Sequence, residues 1–176
     1  ALVTAADNSL VAVVDKRGSS LGDLPNTISI MSRRSTDNGK NWSEPVVVAQ
    51  GGNGKTYGDP AVVLDKKTGN LICMFVGDQG LWNATPYNRQ GIYVSKSTDN
   101  GVSWSEPVAI TDQVYANHSG WYAGFAGSGH GLCLKDGRLM FVLAIRATSA
   151  TGVPLHNYAI YSDDGGDNWT LSTNAA

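Results

Sequence analysis

Apolar residues along this chain fall in short, β-branched bursts rather than helical stripes. Residues 9–15, 27–32, 46–49, 61–64, 71–76, 91–95, 108–110, 131–134, 138–145 and 158–162 read as strands. Turn signals separate them: Asp7-Asn8, Asn38-Gly39, Thr68-Gly69-Asn70, Asn100-Gly101, Asp136-Gly137 and Gly165-Gly166. Nowhere does an apolar i, i+3, i+4, i+7 pattern persist for three turns. The expectation is an all-β chain with little or no helix.

One pattern recurs three times. Ser35-Thr36-Asp37-Asn38-Gly39-Lys40-Asn41-Trp42 returns as Ser97-Thr98-Asp99-Asn100-Gly101-Val102-Ser103-Trp104, and again as Ser162-Asp163-Asp164-Gly165-Gly166-Asp167-Asn168-Trp169. The common core is S-x-D-x-G-x-x-W, in boxes at 35–42, 97–104 and 162–169. Their spacing is 62 and 65 residues (Ser35 to Ser97, Ser97 to Ser162). The first two copies run on into Ser43-Glu44-Pro45-Val46 and Ser105-Glu106-Pro107-Val108. A repeat of this size holding several strands predicts β-propeller blades. The box itself reads as a folded turn. Its Asp accepts backbone N–H bonds, its Gly takes positive φ, and its Trp packs beneath the turn. Ser35, Asp37, Gly39, Trp42, Ser97, Asp99, Gly101, Trp104, Ser162, Asp164, Gly166 and Trp169 are therefore expected to hold hairpins on an outer rim, away from any substrate.

Composition narrows the function classes. Thirteen Lys and Arg stand against fifteen Asp and Glu, a net charge of -2, which argues against nucleic acid as main partner. The longest apolar runs, 71–76 and 139–145, are too short to span a bilayer. Cys73 and Cys133 read as strand thiols without metal or redox spacing, a single disulfide between them being left open. His118, His130 and His156 have no metal-ligand spacing. The run Gly127-Ser128-Gly129-His130-Gly131 lacks the following Gly-Lys-Ser/Thr of a phosphate loop. Neither metal nor cofactor is expected. Trp121, Tyr122 and Phe125 read as a glycine-rich loop packing under a neighbouring blade, with stacking on a sugar as the alternative. The chain opens inside an apolar run, Ala1-Leu2-Val3, and ends abruptly, so residues 1–176 are expected to be one portion of a single larger domain.

The boxes are Asp-boxes (BNR repeats), and the chain resembles a bacterial-type sialidase (neuraminidase). Ala1-Leu2-Val3-Thr4 resembles the stretch after that family's Arg-Ile-Pro, which implies that the first arginine of its triad precedes residue 1. Asp15-Lys16-Arg17-Gly18-Ser19-Ser20-Leu21-Gly22-Asp23 resembles its arginine-loop-aspartate segment. By that likeness Asp23 is the general acid/base on a mobile loop, and Arg17 helps bind the 4-hydroxyl region of the sugar. Tyr57-Gly58-Asp59-Pro60-Ala61 resembles the family's aspartate-proline segment, which puts Asp59 in the sugar pocket. Trp82 and Tyr87 follow where the family places aromatic pocket residues. The residues 127–139 resemble the glycine-rich start of the third blade. The likeness implies about three blades of antiparallel four-stranded sheets, half of a six-bladed propeller. It leaves the catalytic tyrosine, its partner glutamate and two later arginines beyond residue 176, so this portion alone is expected to be inactive.

Sialic acid bears a carboxylate on its anomeric carbon. Arginines stay charged and grip carboxylates bidentately, and sialidases use a tyrosine in place of the usual carboxylate nucleophile. The acid/base protonates the leaving oxygen and then deprotonates water, the part the likeness gives to Asp23. The implied partners are sialylated oligosaccharides, glycoproteins and glycolipids, met outside the cell, in the periplasm or at the cell surface. Two rival readings remain: a non-catalytic Asp-box binding module, in which Arg17 and Asp23 are a surface ion pair, and a trans-sialidase.

Overall fold

The structure, a computed structural model, describes residues 1–18, 20–127, 129–147 and 155–173. Ser19 of the segment between Arg17 and Asp23 and Ser128 of the glycine run lie outside the described residues. Among the described residues, thirteen strands make three sheets in chain order, with one short helix between the second and third. The first holds β1 (Leu2–Thr4), β2 (Leu10–Arg17), β3 (Ile28–Ser35) and β4 (Val46–Ala49); the second β5 (Tyr57–Leu64), β6 (Leu71–Gly77), β7 (Gly91–Ser97) and β8 (Val108–Ala109). Each is a meander of sequential antiparallel neighbours. After β8 comes α1 (Thr111–Tyr115), which buries Val114 and Tyr115.

The third sheet differs at its inner edge. There β9 (Trp121–Phe125) and β10 (Leu132–Cys133) both pair with β11 (Leu139–Ala147). The other edge of β11 is taken by β12 (Leu155–Ser162), which pairs with β13 (Thr170–Leu171). The first, innermost strand of this meander is thus broken in two. Between its halves, Gly131 donates to the carbonyl of Val62 at 2.9 Å and so joins the inner strands of sheets two and three. Three consecutive blades of a β-propeller result.

The apolar runs fit the stacking of these sheets. All seven residues of β6 are buried. Leu71, Cys73 and Phe75 enter the core against the first sheet, Ile72, Met74 and Val76 the core against the third. A strand covered on both faces has no polar alternation to show. Both cysteines are free thiols, Cys73 buried and Cys133 half-buried.

The boxes sit between the third and fourth strands of each sheet. In every copy the Ser hydroxyl donates to the Asp carboxylate at 2.8 Å (Ser35–Asp37, Ser97–Asp99, Ser162–Asp164). The same hydroxyl oxygen accepts the Gly N–H at 2.8–2.9 Å. The carboxylate accepts the N–H of Asn41, Ser103 or Asn168 four residues on. Two successive left-handed residues make the bend, Asn38 (φ 59) with Gly39 (φ 82), and Asn100 (φ 58) with Gly101 (φ 82). Trp42 and Trp169 donate back to the carbonyls of Gly39 and Gly166, as a clasp beneath the turn requires. Trp104 departs from that expectation. Its indole N–H donates to Ser32 Oγ at 2.9 Å, in β3 of the preceding sheet.

One segment corrects the sequence reading. Residues 121–125 are a strand, not a loop. Gly124 is small there because a Cβ would stand 2.5 Å from Cδ1 of Ile145 on the paired strand, a close approach rather than a turn. Trp121 and Tyr122 pack inward as expected.

Candidate functional site

The sheets bring their site-bearing ends together at one end of the stack. There β2 ends at Arg17, β5 begins at Tyr57, β6 ends at Gly77 and β9 ends at Phe125. Between them lies a cavity of about 210 Å³. Its walls come from the loop after β2 (Asp23, Leu24), the start of β5 (Gly58, Asp59), the loop between β6 and β7 (Gly80, Leu81, Trp82, Gln90) and Phe125, with Asp15 beside them. No box residue takes part.

Local sequence explains the placement of each polar group. On β2, Asp15 and Arg17 share a face because strand side chains alternate. Pairing with Ile30 and Ile28 fixes both on a ladder rather than a loop. Arg17 Nη2 donates to Asp23 Oδ1 at 2.6 Å, and Nη1 donates to the Leu21 carbonyl at 2.8 Å. One guanidinium thus holds Leu21 and Asp23 back over the strand end. The Asn26 side chain and N–H both donate to the Asp23 carbonyl, at 2.7 and 3.0 Å. The Asp23 side chain remains 82% exposed at the mouth of the cavity, open to an incoming ligand. Arg17 and Asp23 thus form an ion pair, and Asp23 also lines the cavity, which Arg17 does not.

Asp59 sits at a bulge. The β5–β6 register shifts between Gly58 and Ala61, and Asp59 itself has φ 54. A left-handed non-glycine residue just before proline is strained, and such strain concentrates at functional sites. Burial raises the Asp59 carboxyl above the usual carboxylate range, with the Asp15 and Asp23 charges adding to the shift. Burial raises Asp15 likewise, while Arg17, 3.6 Å away, pulls the other way. The backbone N–H of Asp59 faces the Asp15 carboxylate. Asp15 Oδ1 is buried with no hydrogen-bond partner among the described residues. Three carboxylates thus line one cavity, with the Arg17 guanidinium beside two of them, an arrangement suited to hydroxyl recognition and proton transfer.

Trp82 lines the cavity. Tyr87 does not: it is fully exposed. Residues 85–88 close a tight turn through the paired Thr85 and Asn88, which places Tyr87 at its tip. Three further residues at or near the cavity escaped the sequence reading of the site. Asp15 had a signal, its alternation with Arg17. Gln90 is buried, donating its N–H to the Tyr122 carbonyl and accepting from Gly124 N–H at 3.1 Å. Arg146 had no local signal. Phe125, read as packing with stacking on a sugar as the alternative, lines the cavity.

The whole chain, residues 1–176, matches the BNR repeat-like domain. It is 33% identical over 97% of its length to a sialidase of Bacteroides fragilis, covering 34% of that protein. It is 34% identical over 96% of its length to a sialidase of Micromonospora viridifaciens, covering 28% of that protein. The chain thus spans about a third of these curated relatives. Among solved structures, a Hadza microbial sialidase superimposes with a TM-score of 0.86 at 29% identity, over 99% of this chain and 36% of that one.

Proposed function

This chain belongs to the BNR repeat-like domain family, and on that footing we propose that it supplies one side of the sugar pocket of a sialidase. The reaction is release of a terminal sialic acid from a glycan, with retention at the anomeric carbon. The observation that carries this reading is the meeting of Asp23 and Asp59 in the wall of one cavity, with Arg17 bonded to Asp23 from behind, while all three boxes stay outside it. These residues are not needed for a binding module built on Asp-boxes alone. The sialidase relatives that align along nearly the whole chain support it further.

Asp23 is the acid/base in this scheme. Its exposed carboxyl at the mouth reaches a glycosidic oxygen entering from solvent, gives it a proton, and then takes one from water. Arg17 holds the loop that presents Asp23 and turns its charge toward the sugar. Asp59 and Asp15 take hydroxyl hydrogens at the floor, and Trp82 offers an apolar wall. The tyrosine nucleophile and the carboxylate-binding arginines come from outside the 176 residues in this reading, so the chain alone is inactive. Its substrates are sialylated glycans met outside the cytoplasm.

The test is release of sialic acid from sialyllactose by the full-length protein that carries this chain, wild type beside Asp23→Ala. An unactivated leaving group is needed, because an activated one hides loss of the acid. Turnover by the wild type and a fall of at least about 100-fold in the folded variant is expected, the usual scale of acid-base catalysis. No turnover by folded wild type favours the binding module. Full activity in Asp23→Ala removes Asp23 from the mechanism. Added lactose separates hydrolysis from transfer by its sialylated product.

A further inference from the structure

Arg146 stands in the middle of the third sheet with no carboxylate within ion-pair distance among the described residues. Its strand is paired on both edges, with Ala123 of β9 on one side and Leu155 of β12 on the other. The guanidinium spends its bonds elsewhere. Nη1 donates to the Leu81 carbonyl at 2.7 Å and to the Trp82 carbonyl at 3.2 Å. The charge lies 5.4 Å from the Trp82 ring centre and 5.1 Å from that of Tyr122. Below it, Leu81 and Ala84 pack on Tyr122 and Ala123. Beside Leu81, at the same end of this loop, a Cβ on Gly80 would stand 2.1 Å from the Leu24 carbonyl oxygen. The loop between β6 and β7 is therefore clamped to sheet three and pressed on the segment that carries Asp23.

We infer that Arg146 is a positioning residue for substrate specificity, holding Trp82 as the cavity wall at a fixed distance from the Asp23 loop. The inference rests on the sialidase reading for its kinetic consequence, but not for its geometry. A guanidinium suits the task because one planar group bonds two successive carbonyls and stacks on an aromatic face. Lysine has no such plane, and a neutral amide has no charge for the rings. Freed from the clamp, the Trp82 wall samples wider positions, and ordering it again is left to the substrate.

The experiment uses the full-length protein as Arg146→Gln, Arg146→Lys, Trp82→Phe and the double variant Arg146→Gln/Trp82→Phe. On sialyllactose, Arg146→Gln is expected to raise KM about tenfold with kcat within about twofold. Arg146→Lys falls between it and wild type. The double variant is expected to match Trp82→Phe, because Arg146 acts through that ring. Effects that multiply in the double variant, or a KM unchanged in Arg146→Gln, overturn the inference. If Arg146→Gln does not fold, the comparison of Arg146→Lys with Arg146→Lys/Trp82→Phe decides by the same rule. Acrylamide quenching of tryptophan fluorescence reads the geometry without turnover. Quenching is expected to rise in the Arg146 variant and the rise to vanish with Trp82→Phe; no rise overturns the clamp. A wild type that releases no sialic acid refutes the sialidase reading, and the quenching result then decides the clamp alone.

Discussion

Three glycines at the same box position allow the packing between sheets to be weighed against backbone strain. Gly39, Gly101 and Gly166 have φ of 82, 82 and 87, so alanine meets the same left-handed strain at each, about 1–2 kcal/mol. What the new methyl touches differs. At Gly39 the nearest atoms are 3.7 and 3.8 Å away, ordinary contact. At Gly166 they are Ile72 carbons at 3.2 and 3.4 Å, and at Gly101 both Val11 methyls stand at 2.9 Å. Val11 is fully buried and its strand is paired on both edges, so it has little room to yield. Overpacking of this kind adds about 1–3 kcal/mol. Gly39→Ala should therefore cost about 1–2 kcal/mol and Gly101→Ala about 2–5 kcal/mol, with Gly166→Ala between them. That is a large share of the ~5–15 kcal/mol that holds a typical domain. Urea unfolding followed by circular dichroism gives the order from the midpoints, provided the slopes agree. A Gly39→Ala variant as unstable as Gly101→Ala would refute the claim that sheet-to-sheet contact, and not the turn alone, fixes this glycine.

Two further outcomes follow from the boxes. Trp104→Phe leaves the Ser32 hydroxyl, fully buried, without its indole donor; a loss of about 1–3 kcal/mol in the same unfolding assay is expected, and restoration by a second change, Ser32→Ala, checks that the cost is the orphaned hydroxyl. The Asn168 N–H and side chain, with the Ser162 hydroxyl, lower the Asp164 carboxyl to about 2. A carboxyl lowered on folding gives stability that is present above its unfolded value near 4 and is lost as pH falls toward about 2. Asp164→Asn should flatten the fall of stability with pH across that window, and an unchanged slope counts against it.

Local chemistry was the legible part of this chain. The boxes read directly, because Ser, Asp and Gly within five residues make their own turn. The strands read well where both faces are buried, as in β6. They read short where charge continues: β2 runs on through Lys16 and Arg17 because β3 still pairs with it there. Partners far apart in sequence were not legible. Trp104 bonds a serine 72 residues earlier, and Arg146 bonds carbonyls 64 and 65 residues earlier. Gly124 looked like a turn because only the paired strand reveals why it is small. In the site, Arg17, Asp23 and Asp59 were found through a family likeness, and their convergence needed the fold. Tyr87 was misplaced because a tight turn at 85–88 is decided by two residues, Thr85 and Asn88, rather than by distance from Asp59.

The second and third boxes lean on the sheet before their own. Gly101 meets Val11, Trp104 bonds Ser32, Gly166 meets Ile72, and Lys96 pairs with Asp167 at 2.5 Å. The sheets overlap like roof tiles, the first two each pinned by its successor. A chain emerging from the ribosome in order completes its first sheet before the clasp that seals it has been made. Each sheet waits about one repeat length, unsealed, for the next box to arrive. Duplication of a repeat, by the same logic, brings its own fastener: the new copy clasps the blade ahead of it and offers the same seat to the blade behind.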